Sequence, residues 1–137
     1  MIIDSHAHIY PDKIAHKAAR SIGDFYDIDM DLDGTVDMLL KVGVSEHPDR
    51  FIGFATLHPD CGDEIPEIVD EAISLGLDGI KLHPDFQKFD IDSPKAMRMY
   101  EVLEGRLPIL FHTGDYRTQY SKPTKIIKVL ERFPKLD

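Results

Sequence analysis

The sequence predicts an α/β fold in which short strands alternate with helices. Short apolar segments recur along the chain, amphipathic helical stripes separate them, and the segment at 51–57 is apolar on both faces, as buried parallel strands are. Repeated strand–helix units of this kind predict a parallel sheet with helices packed on it. At 137 residues, the chain suits a single domain over residues 1–137.

The first part of the chain predicts one strand and two helices. The strand covers roughly residues 1–9, and a polar loop at 27–34 separates the two helical patterns. The first helix has a stripe of apolar residues spaced for one face, and the second is short. These apolar positions are Ile14, Ala18, Ile22 and Phe25, followed by Val36, Leu39 and Leu40.

Three further strand–helix units follow, with strands at 51–57, 77–83 and 108–113. The helices have recognisable ends: Gly76 at a C-cap, Ser93 as an N-cap before Pro94, Gly105 at another helix end, and Pro123 at a helix start. Another strand is expected to begin at 135–137. The predicted inward positions are Ile65, Ile68, Val69, Ala72 and Ile73, then Met97, Tyr100 and Leu103, then Ile126, Ile127, Leu130 and Phe133.

Four clear strands are about half of an eight-stranded barrel, which typically needs about 250 residues. The predicted architecture is therefore TIM-barrel-like, a partial barrel of about four to five βα units. In such barrels, functional side chains collect at the carboxyl ends of the strands, facing the barrel axis.

Composition excludes several classes of function. The chain has 16 Lys plus Arg against 25 Asp plus Glu, a formal net charge of -9, which argues against a nucleic-acid partner. It contains neither an apolar run long enough to span a membrane nor the pattern of a signal peptide. A single cysteine, Cys61, fits a reducing, cytoplasmic compartment. We expect a small molecule as the partner.

Two histidines in the first strand predict a metal site. His6 and His8 are two residues apart, so on a strand they project from the same face, with Asp4 one step earlier. Imidazoles grouped in this way are typical ligands of first-row transition metals. The alternative is a pair of solvated histidines at a strand end.

Further inward-facing residues close the later strands. His112 is the candidate third metal ligand, or else a core histidine bonded to a backbone carbonyl. His58 and His83 each precede a proline and can simply cap loops; this interpretation is favoured for His58 and left open against ligation for His83. Lys81 is expected to pair with a carboxylate such as Asp4, to be carbamylated as a bridging ligand, or to transfer protons.

The ordered segments 3–8 (IDSHAH), 51–55 (FIGFA), 79–84 (GIKLHP) and 111–114 (FHTG) resemble the amidohydrolase superfamily. The similar branch is the amidohydrolase-related TIM-barrel metal-dependent hydrolases, which also includes aromatic-acid decarboxylases. The resemblance implies that His6, His8 and His112 bind a divalent metal, with zinc expected. It also implies that the metal activates a water molecule to attack a C–N or C–O bond, or assists decarboxylation. Lys81 and His83 are then the candidate catalytic residues.

The chain departs from the family pattern in two places. Family members continue past the position of Asp137 into strands that carry another histidine and a metal-binding aspartate. They also have a further strand and helix between the pieces that here meet at Val44 and Ser45. We therefore expect a shortened metal-dependent hydrolase, with weak catalysis or none unless a second chain completes the site. Self-association would also cover the open sheet edges. A metal-dependent decarboxylase of aromatic acids and a non-catalytic βα scaffold are the alternatives.

Overall fold

The computed structural model describes residues 12–29 and 52–137. The chain divides into two compact units, Met1–Ile52 and Gly53–Asp137. The single domain predicted for residues 1–137 stays a prediction. The strand predicted at 1–9 and the helix predicted around Val36, Leu39 and Leu40 lie outside the described residues.

In the first unit, helix α1 spans Asp12–Tyr26 and confirms the first predicted helix. Its buried side chains include Ala15, Ala19 and Ile22, which are spaced three and four residues apart as one helical face requires. Of the predicted stripe, Ile22 is buried, whereas Ala18 and Phe25 are only half-buried. The small residues Ala15 and Ala19 therefore lie at the centre of the buried face.

The second unit contains a three-stranded parallel sheet. Its strands are β1 at Phe54–Thr56, β2 at Gly79–Leu82 and β3 at Ile109–Phe111. They pair in the order β1-β2-β3, with Ala55 opposite Ile80 and Ile80 opposite Ile109. The predicted parallel α/β sheet is confirmed, although each strand is shorter than the apolar segment that predicted it.

Helices connect and follow the strands. After β1 come a 3₁₀ helix at Pro59–Glu64 and helix α2 at Ile65–Ser74. After β2 come the short helix α3 at Pro84–Gln87 and helix α4 at Pro94–Leu103, and β3 is followed by α5 at Pro123–Arg132. The predicted end signals function as expected: the Ser93 hydroxyl accepts from the Ala96 amide at 3.3 Å, and Gly76 adopts a φ of 73° just after α2.

The hydrophobic core lies between the helices and one face of the sheet. Ile80 and Leu82 of β2 are fully buried there, together with Val69 of α2 and Met99 and Tyr100 of α4. The Tyr100 hydroxyl donates to the Ile91 carbonyl at 3.1 Å, which satisfies its polar end inside the core. Since alternate residues of a strand face opposite sides, Lys81 lies on the other face of the sheet.

Sequence predictions about burial are wrong in three places. Ile127 and Leu130 of α5 are 57% and 49% exposed, because this helix buries a narrower stripe through Val129 and Phe133, with Ile126 at its margin. Similarly, Ile73 at the end of α2 is exposed. The strand β1 is also only half-buried along its length, so its apolar residues overstate its burial.

The last residues lie alongside β3. The Asp137 carbonyl accepts a hydrogen bond from the Ile109 amide at 2.7 Å, the Lys135 carbonyl accepts from the Gly105 amide at 3.2 Å, and Leu136 is buried. These bonds occur at the place where the sequence predicts the beginning of a further strand.

Candidate functional site

The candidate site lies on the sheet face opposite the helices, near the carboxyl ends of the strands. Lys81 of β2 and His83 just after it are both buried, and His112 follows β3 directly. The ends of parallel strands meet at one edge of a sheet, so the topology brings these residues together. The Thr56 hydroxyl at the end of β1 donates to the Lys81 carbonyl at 3.2 Å and joins the first strand to this edge.

Lys81 is a buried amine, 8% exposed, whose Nζ donates to the Leu82 carbonyl at 3.1 Å. Burial disfavours the ammonium form and lowers its pKa to about 8. Within residues 12–29 and 52–137, no carboxylate forms an ion pair with it. Asp4, the partner suggested by the sequence, lies outside the described residues.

His83 caps the short helix α3. Its Nδ1 accepts a hydrogen bond from the Phe86 amide at 3.2 Å. Because an accepting Nδ1 cannot carry a proton, the neutral ring holds its proton on Nε2. Burial lowers the pKa of His83 to about 4, helped by the neighbouring His112 and Lys81, so the imidazole is neutral at pH 7. His83 is therefore both a helix cap and a neutral Nε2–H donor.

His112 stacks on His83. The two ring centroids are 3.8 Å apart and the planes differ by 10°. The His112 amide donates to the Leu82 carbonyl at 2.9 Å, which fixes its backbone against the end of β2. The ring is half-buried. The structure thus brings together two residues that the sequence predicted separately as catalytic residue and metal ligand.

His58 has a structural role. His58 uses both ring nitrogens structurally: Nδ1 accepts from the Asp60 amide at 3.0 Å, and Nε2 is 3.0 Å from the Gln87 carbonyl. This confirms the capping interpretation for His58. His6 and His8 lie outside the described residues, so their predicted metal ligation stays a prediction. Among residues 12–29 and 52–137, no three metal-ligating side chains form a group that could hold an ion.

Gln87 is a site residue that the sequence did not indicate. Its Oε1 accepts from the His83 amide at 2.7 Å, and its Nε2 donates to the Leu57 carbonyl at 2.8 Å. Its side chain therefore joins the ends of β1 and β2 beyond the last residues of the strand ladder. Nothing in the spacing of a lone glutamine could have revealed this contact, because it depends on tertiary structure.

Asp85 is a second missed residue. It is 3% exposed, and its Oδ1 accepts from the Thr118 hydroxyl of the loop that follows β3. In the part of the chain that the structure describes, its buried Oδ2 has no hydrogen-bond partner. Native proteins rarely leave a buried polar atom in this state. A signal did exist: residues 82–85 repeat the sequence LHPD of residues 57–60.

The loop from Gly114 to Ser121 covers this edge. Gly114 adopts a φ of 86°, and its amide donates to the Ser121 hydroxyl at 3.1 Å and to the Ser121 carbonyl at 3.2 Å. Within the loop, the Arg117 guanidinium donates hydrogen bonds to the Asp115 carboxylate and lowers the pKa of that carboxyl to about 2. The loop is therefore closed on itself by hydrogen bonds and contacts Asp85 through Thr118.

Comparisons with known proteins give one match. The model of the amidohydrolase family matches residues 3–137, which includes all four segments that carry the resemblance. Neither the curated proteins nor the solved structures give a match. None of the helices in the described segments is long and apolar enough to cross a membrane.

Proposed function

Because the chain belongs to the amidohydrolase family, we propose that it is a metal-dependent hydrolase acting on a C–N or C–O bond of a small molecule. Family membership supports a hydrolase-type function in general. The cluster of Lys81, His83 and His112 at the strand ends is the observation that carries the more specific proposal.

We also propose that the sheet is part of a TIM-barrel-like βα architecture. The support is its consecutive parallel order, β1-β2-β3, with a helix after each strand. The hydrogen bond from Ile109 to the Asp137 carbonyl lies on the side of β3 where a further strand would pair.

His6, His8 and His112 would hold the metal, and zinc is the proposed ion. Three imidazoles are a donor set that catalytic zinc uses, and His112 stands at a strand end as this role requires. When bound, the metal supplies Lewis-acid activation of a water molecule.

His83 and Lys81 are the proposed catalytic residues. The cap on Nδ1 leaves the His83 proton on Nε2, where it can stabilise an oxygen that gains negative charge during the reaction. The depressed pKa of Lys81 suits proton transfer near neutral pH, since an ordinary lysine holds its proton too tightly. A cytoplasmic location, a small-molecule partner without nucleic acid or membrane, and self-association stay predictions from the sequence.

Metal content tests this proposal. Elemental mass spectrometry of purified protein should find about one divalent metal per chain, with loss of most of it in His6→Ala, His8→Ala and His112→Ala. His16→Ala, which changes an exposed histidine of α1, is the matched control and should retain the metal. Metal at background level in the unaltered chain would exclude a metal-dependent hydrolase. Metal loss without any change in turnover would favour the non-catalytic scaffold.

A further inference from the structure

Two buried, opposite charges flank His83 without pairing with each other. Lys81 lies two residues before it and Asp85 two residues after it, and both are at least nine-tenths buried. Both act on the imidazole: the Lys81 charge lowers the pKa of His83 and the Asp85 charge raises it. Nevertheless, among the described ion pairs there is none between Lys81 and Asp85.

Among the residues that the structure describes, each charge also has hydrogen-bonding capacity that no partner uses. An ammonium group has three donors, and the structure shows Lys81 giving one of them to the Leu82 carbonyl. Asp85 accepts from Thr118 on Oδ1, while its Oδ2 finds no partner within residues 12–29 and 52–137. Buried charges are normally paired, because an isolated buried charge loses its hydration without compensation. Within the described residues, the arrangement is therefore costly, and it suits a ligand that brings a carboxylate to Lys81 and an ammonium group to Asp85.

We propose that Lys81 and Asp85 form a recognition site for a zwitterionic small molecule, with Lys81 binding its carboxylate and Asp85 binding its ammonium group. This inference rests on the proposed function, since it names the substrate class of the same site. With a carboxylate bound, Lys81 stays protonated and serves recognition instead of proton transfer. His83 lies between Lys81 and Asp85 in the sequence and is influenced by both charges, so the ligand would lie near its imidazole. Apolar side chains on the same sheet face, Phe54 and the 44% exposed Leu110, would contact an apolar part of the ligand.

The loop from Gly114 to Ser121 lies against the Asp85 end of this site. Both charges are covered in this structure, and the loop contacts Asp85 through the Thr118 hydroxyl. A ligand ammonium group that reaches Asp85 has to displace or share this contact. Thr118→Val removes the hydroxyl but keeps the shape, and it should increase the rate of ligand association.

Calorimetric binding to the full chain, freed of metal with EDTA, tests the inference. The probes are L-leucine and 6-aminohexanoate, with analogues that retain one charge: N-acetyl-leucine, leucinamide, hexanoate and hexylamine. At least one zwitterion should bind about tenfold more tightly than both of its singly charged analogues, since a hydrogen bond to a charged group contributes about this factor. Equal binding of all the probes overturns the proposal, and so does the absence of binding by any of them. This measurement needs only the unaltered chain.

Substitutions of Lys81 and Asp85 show which residue binds each end of the ligand. In Lys81→Met, the zwitterion should no longer bind more tightly than the analogue without a carboxylate. In Asp85→Asn, it should no longer bind more tightly than the analogue without an ammonium group. Lys95→Met and Asp70→Asn, which alter exposed charges elsewhere, should retain both advantages. Reversed or absent selectivity in the site variants contradicts the assignment. Because the measurement uses metal-free protein, its failure alongside normal zinc content would overturn this inference and leave the proposed function intact.

Discussion

The two faces at the β2 strand bury different kinds of side chain. On the helix side, Ile80 and Leu82 are apolar, fully buried and enclosed by other apolar side chains. On the other side, Lys81 and His83 are almost equally buried but ionisable, and burial shifts the pKa of each against its charged form. One face therefore stabilises the fold through apolar packing, while the other holds ionisable groups whose charged forms are disfavoured by burial, which is typical of functional sites.

The largest expected effect comes from the core face. Leu82→Ala should lower the free energy of unfolding by about 2–5 kcal/mol, because it removes buried methyl groups and leaves a cavity. Urea unfolding at pH 7 measures the change. If Leu82→Ala lowered the free energy of unfolding by less than Lys81→Met does, the contrast between the two faces would be wrong.

Replacement of the neighbouring residue should have the opposite sign. Lys81→Met should raise the free energy of unfolding at pH 7, by up to roughly 3 kcal/mol if the full shift in pKa is realised. The folded pKa, about 8, lies below the ordinary lysine value of 10.5, so the unfolded chain binds more protons between these limits. The stability of the unaltered chain should therefore rise from pH 8 to 10.5, and that of the methionine variant should not follow. A destabilised Lys81→Met would indicate that an anionic partner already satisfies the amine.

His83 should make the same face sensitive to acid. Its folded pKa of about 4 lies below the ordinary value of 6.5, so its contribution to stability is complete above pH 6.5 and decreases as the pH falls toward 4. The full loss is up to roughly 3 kcal/mol, again from the size of the shift. His83→Asn retains a capping oxygen for the Phe86 amide, and its free energy of unfolding should decrease less between pH 6.5 and 4. If unfolding curves show the same decrease for the variant and the unaltered chain, other groups cause the loss of stability in acid.

A smaller effect is expected at the polar link between the strand ends. Gln87→Leu leaves the His83 amide and the Leu57 carbonyl without their side-chain partners and should cost about 1–3 kcal/mol. Gln87→Glu retains the acceptor for His83 and should cost less. Because His83 is displaced in the leucine variant, its ring NMR signals should shift together with those of His112. Unmoved signals would show that Gln87 stabilises the strands without positioning the rings.

Local sequence signals account for much of the second unit. Apolar segments located all three strands of this unit, Ser93 and Gly76 marked helix ends, and Lys81 was predicted as an inward-facing residue of its strand. These features depend on residues close together in sequence. The α5 stripe was predicted too wide, because Ile127 and Leu130 have helical spacing whether or not anything packs on them.

The contacts that define the site were beyond prediction. His83 and His112 stack across 29 positions of sequence, and Asp85 meets Thr118 across 33. Their partners depend on how the ends of β2 and β3 are aligned, which no pattern within either segment specifies. The sequence could identify the ionisable residues, but it could not show that Asp85 Oδ2 would have no hydrogen-bond partner among the described residues.

The most direct test of the two-face account measures the stabilisation that zinc gives to variants of each face. Zinc at about 100 times its Kd should stabilise the unaltered chain by about 2.7 kcal/mol, since it binds only the folded state. Leu82→Ala should lose intrinsic stability and retain this zinc increment, whereas His112→Ala should lose the increment and retain most of its stability. A full zinc increment in His112→Ala would contradict the assignment of the metal to this face.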